Sequence, residues 1–234
     1  MSEEQRVVMV TGAAGNLGRA VAEAFAAVGD SLVLVDRNEA ALVTAFGEPS
    51  PRRQFGPVNL LVQAEVDSMV RVALDRFGRI DVLCNLAGGF RMGEAVHETT
   101  PQTWDFLLDL NARSIVHTAR AVVPAMLARG RGAIVNVAAN AAVRGGATMG
   151  AYAASKSVVL RLTESMAAEL REQGINVNCV MPSIIDGPEN RRAMPDADPA
   201  RWVAPYDLAA VVVFLASDAA RAVHGAALPV VGLS

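Results

Sequence analysis

The chain has 234 residues, 52% of them apolar, with two cysteines and a formal net charge of −3. That length fills one well-buried α/β domain and falls short of two, and the slightly acidic balance gives no reason to expect a nucleic-acid partner. Every apolar stretch is broken by glycine or charge before the roughly 20 residues a membrane span requires, and the start MSEEQRVVMV carries no basic, apolar leader, so a cytoplasmic protein with no membrane partner is expected.

Residues 6–10 are β-rich and lead through a glycine turn into a helical pattern over 17–28. Residues 31–35 are apolar after the first position, as a buried parallel strand is. Residues 39–46 predict a short helix, and the stretch GEPSPRRQFGP (47–57) a Pro/Gly loop, the least ordered part of the chain; 58–62 follow as the third strand. Residues 65–77 predict a helix closed by Gly78, and 81–85 the fourth strand. A long helix over 104–129, disturbed near Pro124, precedes a fifth strand over 132–138. Residues 152–173 predict a helix closed by Gly174, and 176–180 the sixth strand. After Pro182 the chain is irregular to Pro205; a helix over 207–217 and a last strand over 227–231 complete it.

Strands alternating with helices predict a doubly wound, mostly parallel Rossmann-type sheet flanked by helices, one domain over 1–234. Such sheets bind ligands at the carboxyl ends of their strands. Gly12, Asp36, the stretch 87–89, Ala139 and Pro182 all fall there.

The segment TGAAGNLG (11–18) follows the first strand and opens a helix. Glycines there permit a tight turn and bring backbone amides close to a pyrophosphate at the helix N-terminus, which makes Gly12, Gly15, Asn16, Leu17 and Gly18 candidate cofactor residues. An ordinary glycine turn is the bland alternative. Asp36 weighs against it: 18 residues past Gly18 and just after an apolar strand, its carboxylate is placed to bond two ribose hydroxyls and to repel a 2′-phosphate. NAD(H) is therefore expected before NADP(H), with Arg37 softening the preference.

Tyr152 and Lys156 in YAASK lie four residues apart, neighbours on one helix face. A nearby ammonium favours the phenolate and should lower the tyrosine toward neutrality, which suits proton exchange with a substrate. An incidental tyrosine on a surface helix is the alternative, in a chain with only two tyrosines. His97, His117 and His224 are scattered without a carboxylate or cysteine cluster, so no metal is expected. Cys84 and Cys179 sit in apolar runs and read as buried thiols. The arginine pairs 52–53 and 191–192 read as solvated loop residues.

These motifs, in this order, resemble the short-chain dehydrogenase/reductase family over essentially the whole chain. TGAAGNLG resembles its glycine turn, with Asn16 where the family carries glycine. Asn85-Leu86-Ala87-Gly88 resembles its strand-four motif, LLDLNARS supplies its helix asparagine as Asn111, and YAASK its active pair. The resemblance implies that Asn85, Ala87, Gly88 and Pro182 approach the cofactor, and that Lys156 reaches a ribose hydroxyl. It also implies that Asn111 holds a water near Lys156, and that the chain forms a homodimer or homotetramer through the helices 104–129 and 152–173.

A further departure from the family pattern falls at the chemistry end. Ala139, 13 residues before Tyr152, stands where the family has a serine. Ala138 offers no substitute, and Asn140 should point away if strand alternation continues. Losing such a donor costs on the order of 100-fold in ketone reduction. One branch, the dihydropteridine reductases, resembles this chain in having alanine there. It also resembles it in the doubled glycine of 87–89, in the 149–156 segment, and in DGPENRRAMPDAD (186–198) with Trp202. Ser183 and Gly187 depart from that branch's loop, which leaves the behaviour of the substrate loop 183–205 open. Trp202 and Phe90 are candidates to line a substrate pocket. Three readings remain: a dihydropteridine-reductase-like enzyme acting on a small conjugated substrate, a conventional ketone/alcohol reductase, and a non-catalytic NAD(H)-sensing protein.

Overall fold

The computed structural model describes residues 5–234; residues 1–4, on which part of the leader reading rests, lie outside them. Seven parallel strands form one sheet in the order β3-β2-β1-β4-β5-β6-β7. They are β1 (Val7–Thr11), β2 (Ser31–Asp36), β3 (Arg53–Pro57), β4 (Val82–Asn85), β5 (Gly132–Val137), β6 (Ile175–Pro182) and β7 (Ala227–Val230). Helices cover both faces, which is why the central strands are apolar without alternation. Val8 and Val10 point into one layer, with Phe25 of α1 (Asn16–Ala27), Leu42 of α2 (Glu39–Phe46) and Leu208 of α8 (Pro205–Leu215). Val7 and Met9 point into the other, with Met69 of α3 (Gln63–Phe77), Met126 of α5 (Ser114–Arg129) and Leu170 of α6 (Gly150–Leu170). The strand order reverses between β1 and β4, and that switch opens a crevice at the carboxyl edge.

The third strand differs from the sequence expectation. It is Arg53–Pro57, inside the stretch that reads as a loop, and residues 58–62 instead turn into α3 with Val62 just before its first residue. Loop composition misleads here because β3 is a sheet edge. It stands at the end of the strand order beside β2, and an edge tolerates Pro57 where a central strand would not. Gly56 is also needed, since a Cβ there would stand 2.7 Å from Met69 Cγ of α3.

The long helix expected over 104–129 starts earlier and is not continuous. Thr100 caps α4 (Pro101–Leu108), its hydroxyl accepting from the Thr103 amide at 3.1 Å. A π turn over Asp109–Arg113 follows and then α5, which carries Pro124 inside it. Such bulges are frequent at functional sites, and this one contains the buried Asn111. The segment after Pro182 is not wholly irregular: it holds α7 (Pro188–Ala193) and a short 3-10 turn over Pro199–Arg201. Among the described residues no helix is long and apolar enough to cross a membrane.

Candidate active site

The turn between β1 and α1 sits against the exit of β4. Gly12 has a φ of 63°, and a Cβ on it would stand 2.9 Å from Ala87 Cα, so both the conformation and the approach call for glycine. Thr11 secures the approach: its hydroxyl accepts the amides of Leu86 and Ala87 at 3.0 and 3.1 Å. No side chain caps the N-terminus of α1, whose first amides face the crevice. At the end of β2, one Asp36 carboxylate oxygen accepts from the Ala14 amide at 3.1 Å and the other from the Arg37 amide at 2.8 Å. Gly12, Gly15, Asn16, Leu17, Gly18, Asp36, Arg37, Ala87 and Gly88 share the wall of one cavity of about 880 Å³. The Cβ-free cradle, the open helix end and the carboxylate fit a nicotinamide dinucleotide, and the volume suits one.

Tyr152 and Lys156 lie in the first turns of α6, next to this cavity rather than in its wall. Lys156 is only 6% exposed; its ammonium donates to the Val137 carbonyl oxygen at 2.9 Å, and a Cβ on Gly88 would stand 3.2 Å from it. Burial pushes this lysine down to about 8. The tyrosine departs from the expectation of a lowered phenol: burial pushes it up to about 12. The ammonium hydrogen-bonds the Val137 carbonyl instead, and removal from water dominates. The ring of Phe90, 56% exposed, stands edge-on to Tyr152 with centroids 4.8 Å apart.

The Asn111 side chain is bound within the protein. Its carboxamide oxygen accepts from the Gly89 amide at 2.8 Å, while its NH2 donates to the Gly89 carbonyl at 3.0 Å and to Ser155 Oγ at 2.9 Å. The side chain is therefore a clamp between the 87–89 loop and α6. Ser155 completes the clamp by donating to the Tyr152 carbonyl at 2.8 Å. Sequence reasoning missed Ser155 and Thr11. The available signal was a hydroxyl at a fully buried helix position between Tyr152 and Lys156, and another at the end of a strand.

Asn85 and Pro182 do not stand in the wall of that cavity. Asn85, 3% exposed, donates to Asn136 Oδ1 at 2.9 Å and accepts from Thr118 at 2.7 Å, inside a buried polar network that continues from Asn136 to Thr163. Its position in the middle of the sheet, one residue short of the cavity wall at Leu86, explains this. Pro182 is buried at the end of β6, in register with Val230, and steers the chain into the loop rather than lining the cavity.

Ala139 is buried in extended backbone beyond β5 and presents only a methyl, while Asn140 is exposed and begins a 3-10 turn. The loop over 183–205 is closed at its base, where Val203 donates to the Ile184 carbonyl at 2.9 Å and Asp186 to the Val203 carbonyl at 2.8 Å. Above that base Asp186 and Arg191 form a two-pronged ion pair, both contacts 2.7 Å. Trp202 is 7% exposed and packs inside, leaving Phe90 as the open aromatic. The other tyrosine, Tyr206, is spent on Glu23 at 2.8 Å. Cys84 and Cys179 are buried free thiols, and burial pushes Cys179 up to about 11. Among the described residues no group of three or more His, Cys, Asp or Glu is placed to hold a metal ion.

Residues 6–198 match the family model described as short chain dehydrogenase. The sorbitol dehydrogenase of Cereibacter sphaeroides is 38% identical over 189 residues, 80% of this chain and 73% of that one. The D-threitol dehydrogenase of Mycolicibacterium smegmatis is 35% identical over 240 residues, 97% of this chain and 92% of that one. Among solved structures, carveol dehydrogenase from Mycobacterium avium in complex with NAD superposes with a TM-score of 0.88 at 25% identity, covering 97% of this chain and 96% of that one. Structures of this fold include complexes with NADP as well as with NAD.

Proposed function

This chain belongs to the short-chain dehydrogenase family and is an NAD(P)H-dependent oxidoreductase, and we propose that it reduces a small, flat, conjugated substrate, with a quinonoid dihydropterin as the leading candidate and NADH as the preferred donor. In this reading Gly12, Gly15, Leu17, Gly18, Ala87 and Gly88 hold the dinucleotide by backbone approach. Asp36 bonds the adenosine ribose and disfavours a 2′-phosphate, while Arg37 beside it moderates that preference. Bound there, the nicotinamide supplies the hydride.

The proton comes from Tyr152. A phenol pushed up to about 12 stays protonated at neutral pH, the form a general acid needs for reduction. Lys156, held by Val137, is positioned to bond the ribose next to the nicotinamide. Asn111 and Ser155 hold the loop 87–89 at a fixed distance from that pair.

The observation that carries the substrate class is the buried methyl of Ala139 together with the Phe90 ring on Tyr152. A ketone would concentrate charge on one oxygen, which wants two donors. A conjugated ring spreads it over several atoms, so one donor and an apolar wall suffice. The whole chain works as one domain in this account, with 183–205 as its substrate loop. It assembles as a homodimer or homotetramer through α5 and α6, where Val116 and Val158 are exposed, in a cytoplasmic setting. The test follows NADH absorbance with chemically generated quinonoid dihydropterin against a panel of ketones and quinones, with NADPH alongside. Fast pterin turnover lost in Tyr152→Phe supports the proposal; no pterin turnover removes it.

A second reading, reversible oxidation of an alcohol or polyol, is favoured by the names of the sorbitol and D-threitol dehydrogenases that the chain resembles. The ketone arm of the same assay answers it. A protein that only senses NAD(H) has less support, because Tyr152, Lys156 and Asn111 all remain in place.

A further inference from the structure

We infer that Asn16 is a positioning residue that fastens the substrate loop to the phosphate turn, and that position 187 is glycine because of it. The inference rests on the dinucleotide reading of the cavity and goes beyond it, since the Asn16 side chain acts on the protein rather than on the cofactor. Asn16 and Gly187 both stand in the cavity wall. Across a separation of 170 residues, Asn16 Nδ2 donates to the Asp186 carbonyl oxygen at 2.6 Å. The bridge joins the first turn of α1 to the first peptide of the loop above its closed base.

Gly187 has a φ of 178°, extended backbone that any residue adopts. Its conformation therefore does not require glycine. What requires it is space: a Cβ there would stand 2.5 Å from Asn16 Nδ2 and 3.0 Å from Asn16 Cγ. A methyl would push the carboxamide aside and break the bond to Asp186. Two of the positions where the chain departs from the expected pattern, Asn16 in the glycine turn and Gly187 in the loop, are thus the two halves of one contact. Asp186 is also held by Val203 through its amide and by Arg191 through its carboxylate. Fixing its carbonyl as well immobilises the point from which the loop leaves the sheet. The bridge joins two walls of the cavity that would hold the dinucleotide, so it should slow release of a dinucleotide bound there.

The experiment is a double-mutant cycle of Asn16→Ala and Gly187→Ala with two readouts. The first is trypsin cleavage after Arg191 and Arg192 in protein without cofactor. The second is NADH release by stopped-flow fluorescence, with NADPH in parallel. Each single variant should be cleaved and should release NADH about fivefold faster, the worth of one hydrogen bond. Gly187→Ala should add nothing once Asn16 is alanine. Additive effects in the cycle, or unchanged cleavage in both single variants, would overturn the inference. The cleavage arm needs neither cofactor nor substrate. Failure of wild-type protein to bind either dinucleotide would therefore sink the cofactor reading, and the cleavage cycle would still judge the bridge.

Discussion

The Lys156 ammonium donates to the Val137 carbonyl oxygen at 2.9 Å, so the charge of the active pair is anchored to β5 and not to Tyr152. Holding that charge in a buried site is unfavourable, and the lysine falls from 10.5 to about 8. A folded-state value below the unfolded one means the unfolded chain binds more protons between those two pH values. Stability of the cofactor-free protein should therefore rise with pH from about 8 to about 10.5, by roughly 3 kcal/mol for a shift of this size. Tyr152, raised from 10.0 to about 12, works in the opposite direction only above pH 10. Lys156→Met should flatten the rise. At pH 7 it should gain only about 1 kcal/mol, because it also leaves the Val137 carbonyl unpaired. Urea titrations at pH 7, 8, 9 and 10 check this; a wild-type stability that stays level from 8 to 10 would contradict it.

The sheet was legible because a buried parallel strand writes itself as an unbroken apolar run, as in residues 31–35. The edge strand was not, since Gln54, Gly56 and Pro57 serve one-sided pairing and the packing of α3, which leave no apolar signature. Spacing alone was enough to put Asp36 at the carboxyl end of β2 and Tyr152 beside Lys156 on one helix. The roles of Asn85 and Asn111 were not legible that way: whether an amide faces a cavity or a neighbouring amide depends on β5, α5 and α6 arriving from elsewhere in the chain. The fall of Lys156 and the rise of Tyr152 were equally hidden, because spacing reports proximity and says nothing of water.

Ser155 carries a prediction of its own. Its hydroxyl accepts from Asn111 and donates to the Tyr152 carbonyl. Ser155→Ala removes both bonds, while Asn111 keeps its two bonds to Gly89. Stability should fall by about 1 kcal/mol. If Ser155 positions Tyr152, kcat should fall about tenfold with the KM for NADH little changed. A purely structural serine would lower stability and leave kcat intact, so the split between the two constants decides.

Asp36 offers a test of cofactor choice that spares the turn. Its carboxylate accepts the Ala14 amide, a bond that Asp36→Asn can retain through its carbonyl oxygen. What the substitution removes is the acceptor of the Arg37 amide and the negative charge that repels a 2′-phosphate, with the exposed Arg37 left beside it as a cation. The ratio of kcat/KM for NADPH over NADH should rise at least tenfold, about 1.4 kcal/mol. An unmoved ratio would mean that Asp36 serves the turn and not the ribose.

Ala139→Ser puts the substrate proposal at risk most directly. The position is buried at the end of β5, and a serine adds one hydroxyl to an extended residue without asking the backbone to change. That hydroxyl is a second donor for an oxygen on which negative charge develops. For a ketone the gain should approach 100-fold in kcat, the converse of deleting such a donor. For a conjugated ring there is no single oxygen to hold, and the hydroxyl takes the room that the methyl left for the ring. Pterin turnover should then stay level or fall while ketone turnover climbs from a low base. If the wild-type protein already reduces ketones quickly and the serine adds nothing, Tyr152 alone supplies enough stabilisation. Ala139 would then carry no information about the substrate, and the alcohol-oxidising reading would replace the one proposed.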